Sequence, residues 1–290
     1  MRTGDITVRG LKTNDFPRLR PLATSVYSYE QIDPTKRTVT VNNLIVITSD
    51  GVLVADGQGT VENTRRLVAD IARLTPQPIK YVIVGSEHGD HRGGDAAFPE
   101  TATFVSSPFS KATLERQAAA PNRRPDAPRV RVPTEVVSDR RELSMGGIEI
   151  DILNLGRAHT GGDLEVYLPR EKVVFTSEVF SNRIFPSMAN GYPSEWIETL
   201  RKTEALNATW YVPAHGFVDS AAVLREELVN YRQAIERIMK EGRRLHDARV
   251  PVETAPAAAD FGAYDNWTRA ANNAFGALRR VYQELDGQLK

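Results

Sequence analysis

The chain has 290 residues, 41% hydrophobic and 26% charged, which excludes an intrinsically disordered protein and allows a sizeable core. Lysine plus arginine equals aspartate plus glutamate at 37 each, so no net field directs the chain to nucleic acid or an anionic membrane, and zero cysteines exclude disulfides and thiolate ligands. No apolar run approaches the roughly 18 residues of a membrane span and the N-terminus lacks the apolar core of a signal peptide, so the expectation is a soluble, cytoplasmic protein, or a periplasmic or secreted one if a signal peptide was trimmed.

Residues 1–36 are polar and irregular and are expected to form an N-terminal arm, with an edge strand suggested only by the alternation over 25–29. Residues 38–48 and 52–56 are β-rich and flank Ser49-Asp50-Gly51, which predicts a hairpin. Over 61–74, Val61, Thr64, Leu67, Val68, Ile71 and Leu74 form one helical stripe that Pro76 and Pro78 end. A short apolar strand at 80–84 follows, then a strand at 103–105 and a helix at 110–119. Residues 121–133 are rich in proline and arginine and read as a solvated connector. Strands are predicted at 135–137, 142–144, 148–155, 164–168, 173–175 and 210–212, with a helix over 193–206 that turns Trp196, Ile197 and Leu200 inward.

From Ser220 the character changes. Apolar residues recur at helical spacing from Val223 to Leu245 and again from Trp267 to Leu285, with prolines 251 and 256 between. Such stripes predict a helical pair docked onto the domain or onto a second subunit, which would make a homodimer. Phe261, Tyr264 and Trp267 are candidates to roof the site, and His246 reads as a surface histidine near a helix C-terminus. The elements alone specify an α/β fold divided into an arm (1–36), a main domain (37–219) and a C-terminal helical extension (220–290).

The chemistry is concentrated where strands end. Ser86-Glu87-His88-Gly89-Asp90-His91 follows the strand at 80–84, His159 sits in G-R-A-H-T-G-G-D after 148–155, Glu178 follows 173–175, and His215 lies in V-P-A-H-G after 210–212. Four of the five histidines fall in this arrangement. Imidazole nitrogens and carboxylate oxygens delivered together suit a zinc ion.

This ordering resembles the metallo-β-lactamase superfamily, with its H-x-H-x-D-H first motif, a third histidine in a G-H-T-x-G-like turn, a bridging aspartate and a closing histidine. The likeness runs from about residue 43 to 216, including the hairpin from Asn43 to Asp56-Gly57. It implies a four-layer αβ/βα sandwich with the C-terminal helices added, one or two Zn2+ ions, and hydrolysis of a small molecule by a metal-activated water. Carried over by position, one metal would take His88 and His159 but finds Ser86 where a histidine is usual; the other would take Asp90, His91 and His215. Glu178 stands where the aspartate is usual. One tight ion at Asp90, His91 and His215 is therefore expected, with a second weakened by Ser86 unless Glu178 or Glu87 compensates.

Asp90 and Glu178 are the expected catalytic residues, Asp90 holding metal and orienting the nucleophile, Glu178 acting as ligand or base. Asp163 is expected to orient His159 or cap its turn, Ser86 to hydrogen-bond near the metal, and Tyr192 to donate a proton. The favoured substrate is a small ester, lactone or thioester, with Phe185 and Tyr192 at the pocket rim. A β-lactamase is the alternative, disfavoured because no lysine near His215 offers a carboxylate anchor. A degenerate member that binds metal or ligand without turnover is the other alternative.

Overall fold

The computed structural model describes residues 2–122, 124 and 127–289. Residues 123, 125 and 126 of the proline- and arginine-rich connector lie outside that set. The first sheet runs in the order β1 (Arg18–Ala23), β2 (Val26–Ile32), β3 (Thr40–Thr48), β4 (Gly51–Ala55), β5 (Ile79–Ile83), β6 (Thr103–Ser106) and β7 (Glu135–Val136). Its first four strands pair antiparallel and the rest parallel. The second sheet holds β8 (Arg140–Met145), β9 (Ile148–Leu153), β10 (Glu165–Leu168), β11 (Val173–Phe175) and β12 (Trp210–Val212), in the order β12-β11-β10-β9-β8. The helices are α1 (Val61–Leu74), the single turn α2 (Gly89–Arg92), α3 (Pro108–Ala118), α4 (Pro193–Ala205), α5 (Ala221–Asp247), the single turn α6 (Ala255–Ala258) and α7 (Ala270–Leu285).

The two-residue period of the central strands makes the layers. Leu44, Val46, Leu53 and Ala55 point into a core shared with Ile150, Ile152, Val166 and Phe175 of the second sheet. Their neighbours Ile45, Val52 and Val54 point the other way, onto Leu67 and Ile71 of α1. Burial on both faces is why β3 and β4 read as nearly continuous apolar runs. Trp196, Leu224, Leu228 and Leu278 extend the inter-sheet core outward into α4, α5 and α7, which completes the αβ/βα sandwich.

Residues 18–32 do not stand off as an arm. β1 and β2 extend the first sheet, with Tyr29 opposite Asn43 and Leu19 opposite Tyr29. The sequence R-L-R-P-L-A hid β1 because charges and a proline suit an edge strand, where one row of backbone groups needs no partner. Much of the C-terminal stripes packs within the chain, while Phe275 stays exposed. α5 and α7 pack so closely that a Cβ at Gly242 would come within 2.7 Å of Val281 Cγ1.

One buried acid makes a stability prediction. Thr203 Oγ1 lies 2.6 Å from Glu165 Oε1 and 3.1 Å from the Thr199 carbonyl. A single hydroxyl proton cannot serve both, whereas a neutral Glu165 donates to Thr203 and frees Thr203 to donate to Thr199. Burial raises the Glu165 pKa from 4.5 to about 8. The unfolded chain releases this proton near 4.5 and the folded chain keeps it, so the stability present below pH 4.5 is lost as pH rises toward 8, by about 3 kcal/mol at pH 7. Glu165→Gln is expected to flatten the fall in denaturant-unfolding free energy between pH 5 and 8. An unchanged slope would show that Glu165 is ionised in the folded chain.

Candidate metal centre

The site lies where strand ends of the two sheets meet. β5 runs into Gly85, whose N–H donates to Asp56 Oδ1 at 2.7 Å. A Cβ at Gly85 would meet Ser177 at 2.6 Å, so the close approach of the two halves requires glycine there. His88 is the N-cap of α2, and that one turn carries Asp90 and His91 inward. After β11, Ser177 adopts a left-handed backbone (φ 44°) and opens a 3-10 turn that drives Glu178 into the same cleft. Trp196 Nε1 donates to Val179 O at 2.9 Å and pins this turn. His159 comes from the loop between β9 and β10, and His215 follows β12.

The six expected ligands form two donor groups that share Glu178: His88, His159 and Glu178, and Asp90, His91, Glu178 and His215. Glu178 Oε2 is 2.8 Å from His88 Nδ1, and Oε1 is 3.1 Å from His159 Nε2 and 3.5 Å from His215 Nε2. Asp90 Oδ2 is 3.5 Å from His215 Nε2. Ser86 donates to Glu178 Oε2 at 2.5 Å, so it acts on the shared carboxylate. Glu87 turns the other way and accepts from Ser110 Oγ at 2.9 Å. It does not fill the gap at Ser86. Asp163 caps the turn, accepting from the Thr160 N–H at 2.7 Å; burial raises its carboxyl to about 6 against the opposing pull of His159.

The tautomers decide whether this donor set fits a cation. His91 Nδ1 faces Asp56 Oδ2 at 3.0 Å, and His215 Nδ1 faces the Thr40 carbonyl at 2.7 Å. With each Nδ1 holding a proton, His215 Nε2 presents a lone pair, and His91 Nε2 would present one once a bound cation displaces its second proton. The two Nε2 atoms lie 3.2 Å apart, an arrangement that requires a proton or a metal ion between them. Without a metal, burial opposes protonation of His91 but the Glu178 and Asp56 carboxylates outweigh it and lift its pKa to about 10; Glu178 likewise lifts His88 to about 9. Burial and the Lys36 ammonium depress His215. The residues fit a zinc-type ion, and Asp56 supplies the outer partner that orients a ligating histidine.

Several participants were not visible in the sequence reading. Asp56 ends β4 as the other polar groups end their strands, and its buried carboxylate accepts from Gly85 and from Ser177 Oγ at 2.7 Å each. Lys36 has no pattern around it, yet its ammonium sits 2.5 Å from Asp90 Oδ2 and 3.1 Å from Asp33 Oδ2. Against the expectation of no lysine near His215, Lys36 lines the pocket beside Asp90, though both contacts commit it to carboxylates. Tyr192 is not a proton donor here. Its ring lies between the guanidinium groups of Arg157 and Arg280, at 4.0 and 5.1 Å, and it does not line the pocket. Nor do Phe261, Tyr264 and Trp267 roof the site: Phe261 packs behind Phe185 at 5.0 Å and Trp267 stacks on Tyr231 at 6.3 Å. Phe185 and Tyr231 form the wall instead, with Arg269 and Asn273 of the α7 start, around a cavity of about 150 Å³.

The sequence profile of the Metallo-beta-lactamase superfamily matches residues 37–215, more than half of the chain. The chain belongs to this superfamily. A type 2 metallo-beta-lactamase from Bacillus cereus is 23% identical over 193 residues, covering 64% of this chain and 71% of that protein. A metallo-beta-lactamase structure from Pontibacter korlensis superposes with a TM-score of 0.64 at 20% identity, over 75% of this chain and 99% of its own. The stereoselective inverting sec-alkylsulfatase Pisa1 from Pseudomonas superposes with a TM-score of 0.71 at 17% identity, over 93% of this chain and 50% of its own. These likenesses establish the metallo-beta-lactamase fold, and this chain spans about half the length of the sulfatase.

Proposed function

We propose that this superfamily member is a zinc-dependent hydrolase of a small acyl substrate, an ester, lactone or thioester. The observation that carries the reading is the cluster of His88, Asp90, His159, Glu178 and His215 on the small pocket, with the buried His91 Nε2 3.2 Å from His215 Nε2. A zinc ion held by such donors lowers the pKa of bound water to about 7 and polarises an attacked carbonyl. The chain's own groups do the rest. Lys36 holds the Asp90 carboxylate and, with the neighbouring histidines, keeps it ionised and well below the usual carboxylate range although burial opposes this. Ser86 fixes Glu178 between the two groups. Phe185, Ile184 and Val39 give the pocket an apolar side that suits an organic acyl group and excludes water.

A second reading, cleavage of a sulfate ester, is favoured by one observation. The likeness to the sec-alkylsulfatase covers 93% of this chain and so extends past residue 215 into the C-terminal region. A β-lactam, the remaining alternative, would find Lys36 already paired with Asp90 and Asp33.

Zinc-loaded protein assayed against aryl esters, thioesters, lactones, alkyl sulfates, a β-lactam and a phosphodiester is expected to hydrolyse acyl substrates, with the activity lost on chelation. Faster sulfate turnover would promote the second reading. Preference for the phosphodiester, or no chelator-sensitive turnover of any substrate, would sink the proposal. Elemental analysis is expected to find one ion retained through dialysis against a mild chelator and a second lost, since His88 and His159 have only the shared Glu178 to complete their set. Two retained ions would contradict that order of affinity.

A further inference from the structure

We propose that Arg269 anchors a negatively charged group of the substrate, so that the small ester cleaved at the centre also carries an anionic oxygen group; this rests on the hydrolase reading above. Arg269 lies outside the segment matched by the superfamily profile, which ends at 215. It is the N-cap of α7 and holds a left-handed backbone at φ 66°, a conformation that costs a non-glycine residue free energy unless its surroundings fix it. They do. Phe185 N donates to Thr268 O at 2.9 Å and Thr268 N donates to Arg183 O at 3.2 Å, which ties the start of α7 to the segment that follows Glu178. One turn on, Asn273 Nδ2 donates to Phe185 O at 2.7 Å and fixes the same rim.

The guanidinium held at this rim lines the pocket and makes no hydrogen bond or ion pair with another described residue. Lys36, the other cation of the wall, is taken up by Asp90 and Asp33. Asp90 and Glu178, the carboxylates of the wall, belong to the donor groups. Any divalent ion there offsets their charge and leaves Arg269 uncompensated. A planar five-donor fork suits bidentate binding of a carboxylate or sulfate, and the apolar side of Phe185, Ile184 and Tyr231 suits the organic body between anion and scissile bond.

The test uses full-length, zinc-loaded protein and a matched pair of substrates, mono-(4-nitrophenyl) glutarate and 4-nitrophenyl valerate, with 4-nitrophenyl sulfate as a third. Wild-type protein is expected to favour the glutarate ester over the valerate by at least about tenfold in kcat/KM. Arg269→Asn, whose side chain tolerates positive φ, is expected to erase the preference mainly through KM, and Arg269→Lys to restore part of it. If the sulfate is preferred and that preference disappears in Arg269→Asn, the anchored charge is on the scissile group itself. Calorimetric titration with glutarate reads the anchor without turnover: binding should weaken at least about tenfold in Arg269→Asn. If no ester is cleaved but glutarate binding depends on Arg269, the hydrolase reading fails and the anchor stands. Glutarate binding and ester preference that survive Arg269→Asn in a folded protein overturn the proposal.

Discussion

Glu178→Ala protein is expected to lose both donor groups at once, with metal content after dialysis falling below one ion per chain and chelator-sensitive hydrolysis falling by at least about a thousand-fold. The reason is geometric. Glu178 is shared by both groups, its Oε1 facing His159 and His215 and its Oε2 facing His88 and Ser86. Removing it also strips four imidazoles of the carboxylate they face, and burial makes an unpaired charge there costly. Glu178→Asp, which keeps the charge and shortens the reach by one methylene, should retain more metal than Glu178→Ala. Circular dichroism separates a misfolded variant from an empty one. A folded Glu178→Ala protein with near wild-type metal content and turnover would rule out the shared-ligand reading.

Trp196→Ala is expected to cost about 3–5 kcal/mol of unfolding free energy, the scale for emptying a fully buried aromatic site. Trp196 is fully buried and stands edge-on to His159 at 5.4 Å and to Tyr231 at 6.0 Å. Its indole N–H also holds Val179 O, beside Glu178. Trp196→Phe fills most of the volume without that hydrogen bond, so it should lose less stability than the alanine variant while still weakening metal affinity. Urea unfolding of chelator-treated protein measures the first effect and competition with a chromogenic chelator the second. A loss under about 1 kcal/mol in Trp196→Ala would mean that the site collapses around the missing ring.

The fold was legible wherever one period dominated. The stripe over 61–74 became α1 with the bounds expected, and the short apolar runs at 173–175 and 210–212 became β11 and β12. The six candidate ligands were legible for a related reason, because each ends a strand and strand ends converge at one edge of a sandwich. What stayed hidden depends on tertiary pairing. β1 has an edge strand's mixed composition, and Lys36 acquires meaning only through Asp33 and Asp90, the latter 54 positions away. Tyr192 and Trp267 misled because nearness in sequence to Glu178 or to a helix start says nothing of where a ring points. Arg269 could not be singled out among the chain's many arginines, since its lack of a partner among the described residues is visible only once every neighbouring carboxylate has been placed.

The contributors to the centre divide by sheet: Asp56, His88, Asp90 and His91 follow strands of the first, while His159, Glu178 and His215 follow strands of the second. Neither half owns a complete coordination set. An ion bound across this seam works as a clasp, and its binding free energy adds to the docking of one half on the other. Chelation should therefore be felt beyond the candidate centre, as easier opening along the plane between the sheets. It follows too that the full donor set exists only after the halves have closed, so any metal it takes would be chosen by a folded protein, from whatever ions its surroundings hold at that moment.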